Sequence, residues 1–115
     1  MFQSKCDQYW PDRGTEHYAD LSVTTVREDV LAFYTLRTFL VRPLPSAGKK
    51  KKTDPTMCDL TVYQYHYTAW PDHGVPLHSL PLITFVRNSA AANSEHGGPI
   101  VVHCRLEFCN FTRKF

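Results

Sequence analysis

Leu60-Thr61-Val62-Tyr63-Gln64-Tyr65-His66-Tyr67, running directly into Thr68-Ala69-Trp70-Pro71-Asp72-His73-Gly74-Val75-Pro76, decides the fold of this chain. Its first half alternates, with Leu60 and Val62 on one face and Thr61, Tyr63, Tyr65 and Tyr67 on the other, the period of a strand. Its second half carries Pro-Asp-x-Gly, which turns a chain wherever it stands. Upstream, Leu31–Arg42 is rich in β-branched and aromatic residues and reads as a strand that pairs with Leu60–Tyr67 in a long antiparallel hairpin. The intervening Pro43–Met57, holding Pro43, Pro45, Gly48 and Pro55, reads as a loop. Leu21–Val26 sets Leu21 and Val23 opposite Ser22 and Thr24 and reads as a further half-buried strand. Downstream the period changes. Leu82, Phe85, Val86, Ser89 and Ala90 recur at helical spacing, Ser79 is a candidate cap, and Pro81 falls in the first turn, where a missing N–H costs little. Gly97-Gly98 closes the helical region, and Pro99–His103 reads as a short buried strand ending at Cys104. Strands around a helix place the chain in the α/β class.

The bounds set by composition are consistent with one soluble piece. The 115 residues are 43% hydrophobic, enough for a core. No stretch approaches the ~20 apolar residues of a membrane span, and Met1-Phe2-Gln3-Ser4-Lys5 lacks the apolar region of a secretory signal. A formal charge of +2 gives no argument for nucleic acid. Cys6, Cys58, Cys104 and Cys109 are scattered and read as reduced thiols. There are no repeats, and low complexity is confined to Lys49–Lys52, read as a solvated loop tip.

Four motifs stand in a fixed order: Lys5-Cys6-Asp7-Gln8-Tyr9-Trp10-Pro11, Tyr34-Thr35-Leu36-Arg37-Thr38-Phe39, Tyr65-His66-Tyr67-Thr68-Ala69-Trp70-Pro71-Asp72, and Gly98-Pro99-Ile100-Val101-Val102-His103-Cys104. Together they resemble the protein tyrosine phosphatases, in particular the receptor-type branch. Phe85-Val86-Arg87-Asn88-Ser89-Ala90-Ala91-Ala92 and the lysine-rich loop are most similar to the gamma/zeta group and its insect counterparts. The resemblance implies a partial tyrosine-phosphatase fold: a mixed sheet with the long hairpin, a mobile loop at Trp70-Pro71-Asp72, a helix, and a strand leading to Cys104. Residues 1–104 match the central segment of such a domain, and 105–115 read as a divergent tail. The family's tyrosine-recognition loop and its water-positioning glutamine segment are not found in this sequence.

The same resemblance implies the roles of the site residues. Cys104 stands where the nucleophile does, a thiolate that attacks phosphorus in line and forms a phosphocysteine. His103 would organise the phosphate loop and support that thiolate. Asp72 would be the general acid, protonating the phenolate as the P–O bond breaks. Pro71 stiffens its loop, Gly74 is the pivot, Trp70 the apolar anchor, and His73 tunes the loop without transferring a proton. The implied reaction is phosphotyrosyl-protein hydrolysis without metal or organic cofactor, on the cytoplasmic side of the membrane.

After Cys104 the pattern breaks. The family's phosphate loop runs through small residues to an Arg six positions on, where this chain has Asn110. Arg105 is adjacent to the thiol and Arg113 comes too late. Leu106 and Phe108 are bulky where amides must converge on an anion, and Glu107 brings a negative charge. The expectation is therefore a chain that does not turn over. The alternative is a non-catalytic phosphatase-like binding fragment or an unstable product. Glu16, which could belong to an acidic loop that aligns the catalytic Arg, reads better as a solvated carboxylate. A zinc site at His103, Cys104 and Cys109 lacks a fourth ligand, and Asn110-Phe111-Thr112 is a glycosylation pattern without meaning in a cytosolic chain. So little of a family domain implies a chain that is partly molten or insoluble, with the Leu31–Tyr67 hairpin more ordered than either end.

Overall fold

The computed structural model describes residues 8–44, 58–71, 73–93 and 98–104. Strands β1 (Thr15–Tyr18), β2 (Leu21–Val30), β3 (Tyr34–Pro43) and β4 (Leu60–Tyr67) are followed by helix α1 (Leu80–Ala91). The sheet follows chain order, β1-β2-β3-β4, with every neighbouring pair antiparallel. The mixed character expected of the sheet is thus not seen among the described strands, because each is joined to the next by a chain reversal.

The expected hairpin is β3 against β4, with Tyr34 opposite Tyr67 and Val41 opposite Leu60. Its first strand begins at Tyr34 and not at Leu31, because the chain reverses there: the Leu31 amide donates to the Tyr34 carbonyl at 2.9 Å. The strand expected over Leu21–Val26 continues to Val30. A bulge between Thr25 and Arg27 breaks its alternation, and the charged Arg27-Glu28-Asp29 beyond it hides the continuation; Arg27 and Asp29 pair at 2.8 Å. β1, not expected from the sequence, joins β2 through Ala19-Asp20, with Ala19 at φ 50.

The two faces of the sheet are covered differently. On one, Phe85 of α1 packs edge-on against Tyr34, Tyr65 and Tyr67, with ring centroids 5.4, 6.2 and 5.2 Å apart. Asn88 donates to the Tyr34 hydroxyl at 3.1 Å. Leu82, Phe85 and Ser89 are the half-buried members of the expected stripe, while Val86 and Ala90 are exposed. Burial, then the neighbouring phenols of Tyr34 and Tyr63, push the Tyr65 phenol up. Ser79 occupies the cap position of α1 without a side-chain hydrogen bond, and Pro81 sits in the first turn as expected.

On the other face lie Tyr9, Trp10 and Pro11. Pro11 is fully buried, and its carbonyl accepts from the Thr25 hydroxyl at 2.6 Å. Phe39, at 5% exposure, is the buried hydrophobic side chain of the described strands.

Gly98–Cys104 is the main departure. The expected buried strand does not form: the segment has no ladder partner in the described structure, and Val101 and Val102 are 81% and 88% exposed. A short apolar run of strand-like composition needs a neighbouring strand to bury against, and the described sheet offers none beside it. Residues 45–57, with most of the expected Pro43–Met57 loop and all of Lys49–Lys52, lie outside the described residues. So do Cys6, Asp72, Gly97 and 105–115, including Cys109 and Asn110.

Candidate active site

β4 ends at Tyr67, and an exposed connection leads from it into α1. The amides of Thr68 and Ala69 both donate to the Phe33 carbonyl, at 3.0 and 3.2 Å, which pins the start of the connection to the β2–β3 turn. Trp70 is half exposed and Pro71 exposed. Gly74 has φ +85, a left-handed conformation that side chains resist; an added Cβ would meet nothing within 4 Å, so the requirement comes from the backbone and not from space. Asp72, the candidate acid, lies outside the described residues.

The Trp10 face holds a group of residues that, His103 apart, were given no role in the sequence, although Tyr9, Trp10, Arg37 and His66 stand within its motifs. Arg37 points from the middle of β3, its side chain only 12% exposed. Its Nε donates to the Glu28 carboxylate, and Nη1 to Gln64 Oε1 at 3.0 Å and to His66 Nδ1 at 3.2 Å. The guanidinium lies 4.8 Å from the Trp10 ring centroid. Gln64 Nε2 reaches on to the Tyr9 hydroxyl at 2.9 Å, and that hydroxyl bonds His103 Nε2 at 2.9 Å. His103 also stands edge-on to the Tyr9 ring, 5.5 Å between centroids. The chain of contacts therefore runs from β2 across β3 and β4 to the residue before Cys104. Period-2 alternation carried the signal: Arg37 shares a face with Thr35 and Phe39, both buried.

Cys104 is exposed and forms no disulfide. Of the sequence-derived site residues, His103 reaches the Trp10 face by way of Tyr9, and Cys104 follows it in the chain, exposed. Trp70, Pro71 and Gly74 belong to the connection before α1. Glu16 lies on β1, where its carboxylate accepts from the Tyr18 hydroxyl at 2.7 Å. Among the described residues, no group of three or more His, Cys, Asp or Glu side chains is placed to hold a metal.

The protein-tyrosine phosphatase family model matches residues 1–106. This chain belongs to that family. It is 55% identical over 100 residues to mosPTP-1 of Culex quinquefasciatus, named as a putative receptor-type tyrosine-protein phosphatase, covering 87% of this chain and 6% of that protein. To human receptor-type tyrosine-protein phosphatase zeta it is 49% identical, covering 87% of this chain and 4% of that protein. With tyrosine-protein phosphatase 7 of Styela plicata it shares 42% identity, covering 87% of this chain and 86% of that protein. The chain thus spans less than a tenth of the length of the mosquito and human relatives. Among the described residues of this family member, no helix is long and apolar enough to cross a membrane.

Proposed function

We propose that residues 1–104 are the central segment of a receptor-type tyrosine phosphatase catalytic domain of the gamma/zeta kind, that 105–115 are a divergent tail, and that this chain does not itself turn over. The reaction of the segment's lineage is hydrolysis of phosphotyrosyl proteins, on the cytoplasmic side of the membrane. In that reaction a thiolate at the position of Cys104 attacks phosphorus, the P–O bond to the tyrosine breaks, and an acid at the position of Asp72 gives its proton to the departing phenolate. Water then cleaves the phosphocysteine. None of these steps calls for a metal or organic cofactor. Support comes from the identity with phosphatase zeta and from His103, which Tyr9 holds beside the sheet face.

The observation that carries the inactive reading is the residue set after Cys104. Arg105-Leu106-Glu107-Phe108-Cys109-Asn110 offers neither the small residues that let amides converge nor an Arg at 110 to clamp the dianion. Loss of one such donor costs about 10²–10³ in rate, and here several are missing together. The test is incubation of the purified full chain with p-nitrophenyl phosphate and a phosphotyrosyl peptide. Release of phosphate no faster than from Cys104→Ser is expected. Turnover abolished by Cys104→Ser would overturn the inactive reading. Peptide binding without turnover would favour a non-catalytic phosphatase-like binding fragment.

A further inference from the structure

We infer that Gln64, oriented by Arg37 and acting through Tyr9, is a positioning residue that fixes His103 in the tautomer with the proton on Nδ1. The inference rests on the proposed role of the His103–Cys104 pair only for its functional meaning; the geometry stands without it.

The direction of each bond is set by what its groups can do. A guanidinium only donates. The Gln64 carboxamide therefore presents its oxygen to Arg37, 3.0 Å away, and its NH₂ to the Tyr9 hydroxyl at 2.9 Å. That hydroxyl has one proton. Its oxygen accepts from Gln64, and the other side-chain partner the described residues give it is His103 Nε2, 2.9 Å away; on this inference its proton goes there. A neutral imidazole accepts only through its bare nitrogen, which leaves Nε2 bare and Nδ1 protonated. This is the reverse of the Nε2–H form that imidazoles favour in water. The Glu28 carboxylate at the far end holds the Arg37 fork in place. His66 gives an internal contrast: its Nδ1 accepts from Arg37, so it takes the opposite, Nε2–H form.

The consequence is a polarised relay, Glu28–Arg37–Gln64–Tyr9–His103, that sets the proton of the ring adjacent to Cys104 whenever that ring is docked. Members of such a relay are coupled, so reversing one bond reverses those beyond it.

Side-chain ¹⁵N spectra of the full chain at pH about 8, where an ordinary imidazole is neutral, read the tautomer directly. The His103 signals are those that vanish in His103→Gln. The expected result is a bare Nε2 and protonated Nδ1 for His103, with the opposite pattern for His66. Gln64→Glu keeps the shape of the side chain and its bond to Arg37 but offers Tyr9 an acceptor in place of a donor. The Tyr9 proton then turns to residue 64, and His103 must donate from Nε2. A switch of His103 to the Nε2–H form, with His66 unchanged, is expected. Tyr9→Phe should give the same switch by removing the hydroxyl. A His103 that is Nε2–H in the parent chain, or that does not change tautomer in Gln64→Glu, overturns the inference. None of these readouts depends on turnover, so the phosphatase assay and the tautomer can fail separately.

Discussion

Replacing Arg37 with Met should cost the sheet about 2–4 kcal/mol, and most of that loss should not come from the ion pair. Glu28 is 45% exposed, so its pairing with Arg37 is screened by water and contributes about 0.5–1 kcal/mol. The bonds to Gln64 and His66 are different, because Arg37 itself is mostly covered; each contributes about 0.5–1 kcal/mol, and their acceptors lose a charged donor. The guanidinium against Trp10 adds about 0.5–1 kcal/mol. Met keeps the apolar stem, so packing changes little. Hydrogen exchange of β3 amides is a suitable assay, since β3 is bonded on both sides. A loss of 2–4 kcal/mol corresponds to protection lower by roughly 30- to 700-fold. Glu28→Gln should lower it by less than about tenfold. Equal losses in the two variants would refute the reasoning, because the ion pair would then hold the sheet. A change under about threefold in Arg37→Met would refute it as well.

Phe39→Ala should be the most damaging apolar substitution, about 3 kcal/mol or more, since Phe39 is 5% exposed; loss of near-ultraviolet circular dichroism and of β3 amide protection measures it. Ala19→Gly should stabilise the β1–β2 hairpin by about 0.5–1 kcal/mol, because Ala19 at φ 50 stands where hairpin turns take glycine; a urea titration followed by amide shifts of Thr15–Val23 reads the gain. The Tyr18 phenol is pushed up, first by its hydrogen bond to the Glu16 carboxylate and then by desolvation and the charge of Glu16. A raised folded pKa means that this contribution is complete below pH about 10 and is lost as pH rises through the folded value. Ultraviolet titration should therefore show the phenol step that is missing in Tyr18→Phe moving to lower pH in Glu16→Gln.

Long periodic segments were legible in the sequence because their pattern is local. The β3–β4 pairing and α1 followed from alternation and from helical spacing around Phe85. β1 escaped because Thr15–Tyr18 is short, exposed and polar, and its place depends on pairing with β2. The strand expected at Pro99–His103 failed for the complementary reason: its composition is right, but strand structure needs a neighbour, which composition does not supply. Motif order singled out Cys104 and His103, whose roles are part of the proposal. The relay behind them was not legible, since Arg37, Gln64 and Tyr9 are far apart in sequence and meet only because β3 and β4 pair in one register. An arginine in the middle of an otherwise β-branched and aromatic strand was the available sign.

The way His103 is held has a consequence for Cys104. In a strand, each residue's position is secured by bonds to its neighbours; Gly98–Cys104 has no such redundancy in the described structure and leans on one phenol. A hydrogen bond and an edge-on ring contact, both exposed, together contribute about 1–2 kcal/mol, a docked-to-undocked ratio of roughly 5:1 to 30:1. On the contacts of the described residues alone, the thiol would spend a measurable share of its time away from any fixed line of approach. In-line attack gains much of its speed from holding the attacking atom still, and a displacement of about 1 Å can cost ~10²-fold. Cys104 should behave as a tethered thiol with broad positional freedom, open to alkylating reagents from many directions and committed to none.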